Sequence, residues 1–191
     1  MSNVKVQGNA LGTGTLTIAA PNTNSDRTLT LPDNSGTLLS NASTTGFPAG
    51  SVLQVVSATY GVITTISSGT YVDTGLSASI TPSSASSKIL VLVFQPARVY
   101  QNIGTAVGYA NLVRGSTQLT ETSFGFRDVG DGGVPVSGTQ VSISWLDSPS
   151  TASSVTYKTQ GKINSADAAQ YNIDIYGNVV TSSIILMEIA A

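Results

Sequence analysis

The residues that come closest to a recognisable chemical site are two carboxylates in a glycine-rich stretch. Asp128-Val-Gly-Asp-Gly-Gly133 places Asp128 and Asp131 three positions apart. Carboxylate and carbonyl oxygens are the ligands that Ca²⁺ prefers in proteins. The stretch lacks the further acidic positions and the closing glutamate of an EF-hand, so the pattern favours a hairpin loop over a metal site.

Paired carboxylates elsewhere in the chain raise the question of a glycosidase. Such an enzyme needs two carboxyl groups roughly 5–9.5 Å apart across a sugar-binding cleft. The sequence spreads its acidic residues over separate predicted strands and turns, and it offers few aromatic side chains to line a cleft. We therefore expect no catalytic residues, no cofactor and no enzymatic activity. The carboxylates considered are Asp73, Glu121, Asp128, Asp131, Asp147 and Asp174.

Aromatic side chains that could stack on a sugar form a second set of candidates. Trp145 and Phe124 lie in alternating segments, so we expect both of them in the core. Tyr100, beside Gln101-Asn102 in a polar loop, is the better candidate for an exposed ring, although packing is favoured there too. The full set is Tyr100, Tyr109, Phe124, Phe126 and Trp145.

The composition removes most other kinds of site. The 191 residues include neither cysteine nor histidine, which excludes disulfides, zinc–thiolate centres, histidine ligands and a serine–histidine–aspartate triad. Only 9% of the residues are charged, the net charge is −2, and the eight basic residues are scattered singly, so we expect no nucleic-acid binding. The apolar runs are far shorter than the roughly 20 residues of a membrane span, so we expect no membrane insertion.

Residues 1–47 form a first segment that has too few apolar side chains for a core of its own. Residues 15–19 and 27–31 alternate between aliphatic side chains and threonine, which is typical of half-buried strands. At about 25 cal/mol per Å² of apolar surface, so few aliphatics cannot offset the conformational entropy that ordering the segment costs. The segment therefore needs a partner surface, either the rest of its own chain or identical copies around an axis.

Residues 48–191 form the second segment, in which the pattern predicts a long series of strands and no amphipathic helix. After Lys88, residues 89–94 are apolar at consecutive positions, which predicts that the strand at 88–94 is buried on both faces. Eight or more strands in this segment predict an all-β fold, an antiparallel jelly-roll-like β-sandwich that follows the short N-terminal β segment. The predicted strands cover residues 52–56, 71–80 (two short strands about Gly75), 88–94, 105–114, 117–126 (a hairpin through Gly115-Ser116), 140–145, 154–162, 171–175 and 184–189.

Glu188 is the one acidic residue that alternates with apolar side chains in the closing strand. Burial alone would raise the pKa of its carboxyl, and pairing with Arg98 or Arg114 would lower it. The simplest expectation is that Glu188 reaches the rim at the end of the strand. Because the chain has no histidine or cysteine, we expect its stability to be nearly indifferent to pH between about 6 and 9.

Four stretches of the sequence resemble structural proteins of bacteriophages. Residues 12–38 (GTGTLTIAAPNTNSDRTLTLPDNSGTL) are similar to a module near the N-termini of tail-fibre and other virion proteins, especially those of marine and cyanobacterial phages. Shorter phrases, YVDTGL at 71–76, ITPSSASSKIL at 80–90 and LVRGST at 112–117, are similar to the same proteins. Together the matches extend over most of the chain.

The resemblance implies a structural component of a phage virion, a short homotrimeric fibre or appendage that is assembled in the host cytoplasm. It implies that residues 1–47 anchor the fibre to other virion proteins, and that residues 48–191 form a distal head able to contact a host surface glycan. Longer tail fibres have repeated shaft modules, whereas here one module precedes the head directly. A position on the tail, a capsid fibre or decoration protein, and a baseplate protein therefore remain open. A glycan-binding lectin module and a small polysaccharide depolymerase are the alternatives of other classes.

Overall fold

The computed structural model describes residues 11–13, 24, 47–100, 105–127, 136–164 and 168–191, without the side chains of residues 126 and 127. The chain divides into two compact units, Met1–Leu38 and Leu39–Ala191, and nearly all of the described residues belong to the second. Most of the predicted anchor segment and the Asp128–Asp131 loop lie outside the described residues.

Every regular element in the described part of the chain is a β-strand, as the sequence pattern predicts. Within these residues no helix is available that could cross a bilayer. The strands are β1 (Val52–Tyr60), β2 (Thr64–Ile66), β3 (Val72–Ile80), β4 (Lys88–Tyr100), β5 (Thr105–Arg114), β6 (Thr117–Arg127), β7 (Val136–Asp147), β8 (Val155–Ile163), β9 (Ala168–Tyr171) and β10 (Ser182–Ile189).

The strands form two antiparallel sheets with nested pairing. The first sheet has the order β1-β10-β4-β7. On the side of β4 that pairs with β10, β9 pairs with the end of β4 that extends beyond β10, and β2 pairs with β9. The second sheet has the order β3-β8-β5-β6. Along the chain, β5–β6 is the innermost pair, followed by β4–β7, β3–β8 and β1–β10. These four nested pairs form two four-stranded layers, the first of which β9 and β2 extend to six strands. A long hairpin folded in this way is a jelly roll, so the predicted sandwich is confirmed.

The core lies between the sheets and is built from the alternate, inward-facing positions of their strands. On β4 these positions are Ile89, Val91 and Val93, and the second sheet contributes residues such as Leu76 and Leu112. All of them are nearly inaccessible to solvent, and burying each such side chain stabilises the fold by about 1.5–3 kcal/mol. Period-2 alternation in the sequence therefore gives the correct inward face.

Two strand predictions need correction. The stretch around Gly75 is one strand with a bulge, not two short strands: Gly75 has a φ of +94°, and the register of β3 against β8 shifts between Asp73 and Ser77. The predicted strand at 171–175 ends at Tyr171, because Asn172 takes a φ of +65° and turns the chain out of the sheet. Beyond it, only Ile173 forms an isolated bridge, with Val179.

Two aromatic predictions are also corrected. Tyr100 is the last residue of β4 and is half-buried, so it does not lie in a polar loop. Trp145 faces inward, opposite Val91, but it remains 38% exposed because β7 is an edge strand of the first sheet. Phe124 does pack against the core, edge-to-face on Tyr171 with the ring centroids 5.9 Å apart.

We predict that Gly161→Ala destabilises the sandwich, whereas Gly69→Ala does not. A Cβ atom at Gly161 would overlap the ring of Tyr171, which is fully buried and whose hydroxyl donates a hydrogen bond to the carbonyl of Tyr109. Overpacking of a rigid core costs about 1–3 kcal/mol. At Gly69 the nearest atom to such a Cβ lies 3.9 Å away. Denaturant titrations of both variants test this, and an unchanged midpoint for Gly161→Ala would contradict it.

Candidate interaction surfaces

The outer face of the first sheet is unusually apolar. Residues paired directly across antiparallel strands point to the same face of a sheet. Val55, Met187, Leu90 and Leu146 are paired in this way across all four strands. The neighbouring rows add Ile185, Leu92 and Phe94. We call the surface formed by Val55, Leu90, Leu92, Phe94, Leu146, Ile185 and Met187 the apolar face.

In the described part of the chain, the apolar face is open to solvent. Val55, Phe94 and Leu146 are 57%, 50% and 52% exposed, and the leucines of β4 between them are half-buried. The sequence pattern predicts that residues 88–94 are buried on both faces. The sandwich buries only the inner face of this strand, so the prediction is wrong for the described residues.

A groove adjoins the apolar face where residues 173–180 fold over the outer side of β4 and β7. It has a volume of about 410 Å³ and is lined mainly by apolar atoms, with Phe94 at one end and Ile175 and Val180 in its wall. The segment lies close to the sheet, because a Cβ atom at Gly138 would stand 3.0 Å from that of Ile175. At its tip Tyr176 is 87% exposed.

A buried polar network fixes the place where this segment leaves the sheet. Asn172 accepts hydrogen bonds at Oδ1 from Gln95 Nε2 (2.9 Å) and Ser182 Oγ (2.6 Å). Its Nδ2 donates to the carbonyls of Val62 (2.8 Å) and Thr74 (3.3 Å). Its backbone also pairs with Pro96 and Val180, so both ends of the 173–179 loop are held. The loop tip is exposed, but its base is fixed by the core.

The outer face of the second sheet is polar and charged. Lys158 Nζ lies 2.8 Å from an Asp73 oxygen, and Gln160 Nε2 donates to the other oxygen at 2.7 Å. Lys162 lies 3.5 Å from Glu121, which also accepts a hydrogen bond from the Tyr71 hydroxyl. We call the surface formed by Tyr71, Asp73, Tyr109, Glu121, Lys158, Gln160 and Lys162 the polar face.

The rings of the polar face are covered by a cation. Lys162 Nζ lies 4.4 Å from the centroid of Tyr71 and 4.7 Å from that of Tyr109. The ammonium is attracted by the negative face of each ring. Of the predicted sugar-stacking candidates, Tyr109 is thus the one found on this outer surface, while the side chain of Phe126 lies outside the described part.

The acidic candidates are engaged in separate interactions. Asp147 is buried and bound by Arg114 Nη1 (2.8 Å) and the Tyr157 hydroxyl (2.7 Å), which ties the two sheets together. Asp174 accepts hydrogen bonds from the backbone and side chain of Asn178, which lower its pKa. Asp73 on β3 and Glu121 on β6 both lie on the polar face, but β8 and β5 lie between their strands. At a strand spacing of ~4.8 Å, the backbones at these two residues are therefore about 14 Å apart.

The described residues include no group of three or more acidic side chains that could hold a metal ion. For Asp73, partial burial by itself raises the pKa, but Lys158 and Gln160 outweigh it and leave the pKa below its ordinary value. Ionised, hydrogen-bonded carboxylates of this kind are suited to holding neighbouring side chains in place.

Glu188 does not reach the rim, and it does not pair with an arginine. The residue is fully buried, and its carboxylate accepts hydrogen bonds from the backbone and hydroxyl of Ser83 (2.7 and 2.6 Å) and from Gln54 Nε2 (2.6 Å). Arg114 is bound to Asp147 instead, and Arg98 to Gln170 and the carbonyl of Ile175. Burial raises the pKa of Glu188, but the hydrogen bonds outweigh it, so the pKa lies below its usual value.

Sequence reasoning missed the polar network and the groove that depends on it. Gln95 carries the one available signal, because it continues the inward-facing series Ile89, Val91, Val93 with an amide. A polar residue at such a position must find a buried partner. The sequence does not show that the partner is Asn172, 77 positions further along the chain.

Comparisons with known proteins give only distant likenesses. No family model matches the chain, and neither does any curated protein. Dimeric latent PorU from Porphyromonas gingivalis is 11% identical with a TM-score of 0.37, and the match covers 75% of this chain and 14% of PorU. The VP2 subviral particle of infectious bursal disease virus is 10% identical with a TM-score of 0.32, covering 81% of this chain and 42% of VP2. The Gx strain of the same virus is 11% identical with a TM-score of 0.30, covering 73% and 37%.

The two viral proteins resemble this chain only weakly. The chain spans less than half the length of each of these proteins. At such identities and TM-scores, none of the likenesses indicates what this chain does.

We predict that Asn172→Leu destabilises the fold more than Asn172→Gly. Both variants lose the hydrogen bonds of the buried amide, and each buried group left without a partner costs about 1–3 kcal/mol. Leucine must also adopt the left-handed backbone of this position, which glycine does at little cost. Thermal melts give the ranking, and equal stability of the two variants would show that the backbone conformation is not imposed by the network.

We predict a plateau of stability between about pH 6 and 9 with a decline on either side. The pKa of Glu188 is lowered from 4.5, so its contribution is present above that pH and is lost as the pH falls through the folded-state pKa. Burial raises the pKa values of Tyr157 and Tyr171 above 10.0, and for Tyr157 the hydrogen bond to Asp147 raises it further. The contribution of these two hydroxyls to stability is therefore lost only at high pH.

Melts across the pH range measure this plateau. The variant Glu188→Gln should have a lower plateau of stability, because the NH2 group of a glutamine would face the hydrogen-bond donors of Ser83 or Gln54. The same variant should lose stability less steeply as the pH falls. A transition near neutrality in the wild-type protein would contradict the prediction.

Proposed function

We propose that the chain is a structural component of a phage virion, a short homotrimeric fibre or appendage on the tail. Residues 1–47 anchor it to other virion proteins, and the jelly-roll sandwich is the head that meets the host surface. The similarity of residues 12–38 to the N-terminal module of phage fibre proteins supports the anchor. The sandwich supports the head, since jelly rolls serve as capsid and lectin domains.

The observation that carries the proposal is the difference between the two outer faces of the sandwich. The apolar face offers a surface for assembly, because exposed apolar patches of this kind mark sites of protein association. The polar face carries ion pairs and tyrosines suited to contact with water and with a polar target. One head thus has an assembly side and a display side.

We propose no catalytic role for the head. The carboxylates of Asp73, Glu121, Asp147 and Asp174 are bound to Lys158, Lys162, Arg114 and Asn178, respectively, and that of Glu188 is bound to Ser83 and Gln54. These described carboxylates are not arranged as a pair across a cleft. Their interactions stabilise the sandwich and its loops.

A glycan-binding lectin module is the second candidate, and the polar face favours it. Tyr109, Asp73 and Gln160 combine a ring with carboxylate and amide groups, which are the groups that bind sugar hydroxyls and the apolar faces of sugar rings. Binding of the full chain to a glycan array, lost in Tyr109→Ala and retained in Val55→Ala, would support this role.

The virion role is tested with purified particles of the phage that encodes the chain. We expect the protein in the particles at a fixed ratio to the other virion proteins, and density for a sandwich-headed trimer on the tail. Density on the capsid would instead support the capsid fibre or decoration protein. Absence from washed particles, in a preparation that retains other tail proteins, would contradict the proposal.

A further inference from the structure

We propose that three copies of the chain join through the apolar face, and that the 173–179 loop of each copy packs against the apolar face of the next. This inference rests on the proposed homotrimeric fibre and names the surface that builds it. The occupant of the apolar face is therefore a second copy of the same chain.

The first support is the failure of alternation on the two central strands. An antiparallel sheet with one solvated face alternates between apolar and polar side chains, and strands with continuous apolar runs are covered on both sides. The second sheet follows the rule: its outer face holds Lys158 and Asp73. β4 and β10 break the rule, with Leu90, Leu92 and Ile185 on the outside. The sequence thus indicates a cover that the described residues of one chain do not supply.

The second support is the charge of the surfaces. Along β4, the outward positions between Lys88 and Arg98 carry no charged side chain. The facing positions of β1, β10 and β7 are uncharged as well: they are apolar or hydroxylated, apart from the amide of Gln140 opposite Pro96. A complementary partner must therefore be uncharged and apolar. The apolar face itself meets that requirement, and a copy of the chain is present wherever the protein is made.

The third support is the shape of this side of the sandwich. The 173–179 loop rises beside the face and carries Tyr176 (87% exposed) and Val179 (56% exposed) at its outer side. Two faces stacked flat would hold these loops between them. In a closed ring the contact is heterologous, so the loop of one copy lies on the face of its neighbour. Tyrosine is among the residue types that contribute most to such contacts.

Matched substitutions on the two sheets test the surface in the full chain. Val55 and Val72 are exposed valines, 57% and 43%, on edge strands of the first and second sheets. We expect wild type and Val72→Glu to be trimers by light scattering, and the mass of Val55→Glu to fall to about one third, since a buried unpaired charge is not tolerated. Tyr176→Ser should shift dissociation to higher protein concentration.

A second measurement does not depend on a disruptive charge. The chain has no cysteine, so Val55→Cys and Val72→Cys each provide a single thiol. In an isolated sandwich, the thiol at position 55 is the more exposed of the two and reacts with a maleimide at least as fast. In the assembly we propose, it reacts several-fold more slowly than the thiol at position 72, and the difference disappears when the chain is unfolded.

Each outcome is decisive. If Val55→Glu is a trimer and Val55→Cys is labelled fast, the apolar face is not the trimer interface. The proposed virion trimer would then be held together by residues 1–47. A wild-type dimer would overturn the ring. A wild-type monomer on intact particles would overturn both the surface and the trimeric form of the fibre, and a trimer that is absent from particles would overturn the virion role alone.

Discussion

The hydrogen bonds of Asn172 are the constraint on which the candidate surfaces depend. Through Gln95 and Thr74 the amide joins β4 of one sheet to β3 of the other, and Ser182 adds the start of β10. Because these groups are buried, the cost of leaving them unpaired holds Asn172 in a left-handed conformation. That conformation ends β9 and sends the chain back over the sheet. The groove beside Phe94 thus exists because a polar network lies in the core.

The two outer faces of the sandwich differ in the kind of side chain that they carry. On the second sheet, outward ion pairs such as Lys158 with Asp73 are half-exposed, and pairs of this kind add about 0–1 kcal/mol each. They contribute to solubility more than to stability. On the first sheet, outward leucine and isoleucine gain nothing from water and gain much from a cover. An edge strand such as β1 would also be a site of uncontrolled pairing if the face beside it stayed open.

The sequence predicts the fold class, the hairpin at Gly115-Ser116 and the inward face of most strands, because these follow from local periodicity and turn chemistry. It predicts the edges of the sheets poorly. Trp145 alternates like a core residue, yet it lies on an edge strand, and strand order is not written in any local pattern. The partners of Glu188 are likewise Ser83 and Gln54, 105 and 134 positions away, so no spacing rule could find them.

The apparent error about residues 88–94 is more informative than the correct predictions. A pattern of residue types records every surface that the side chains meet, whereas a single chain shows only the contacts within that chain. Leu90 and Leu92 are apolar, outward-facing and half-buried in the described sandwich, and the proposed contact between copies rests on this observation. The low content of charged residues acts in the same direction, because copies that carry a net charge of only −2 repel one another weakly. A low content of charged side chains therefore favours packing of the proposed kind between copies of the chain.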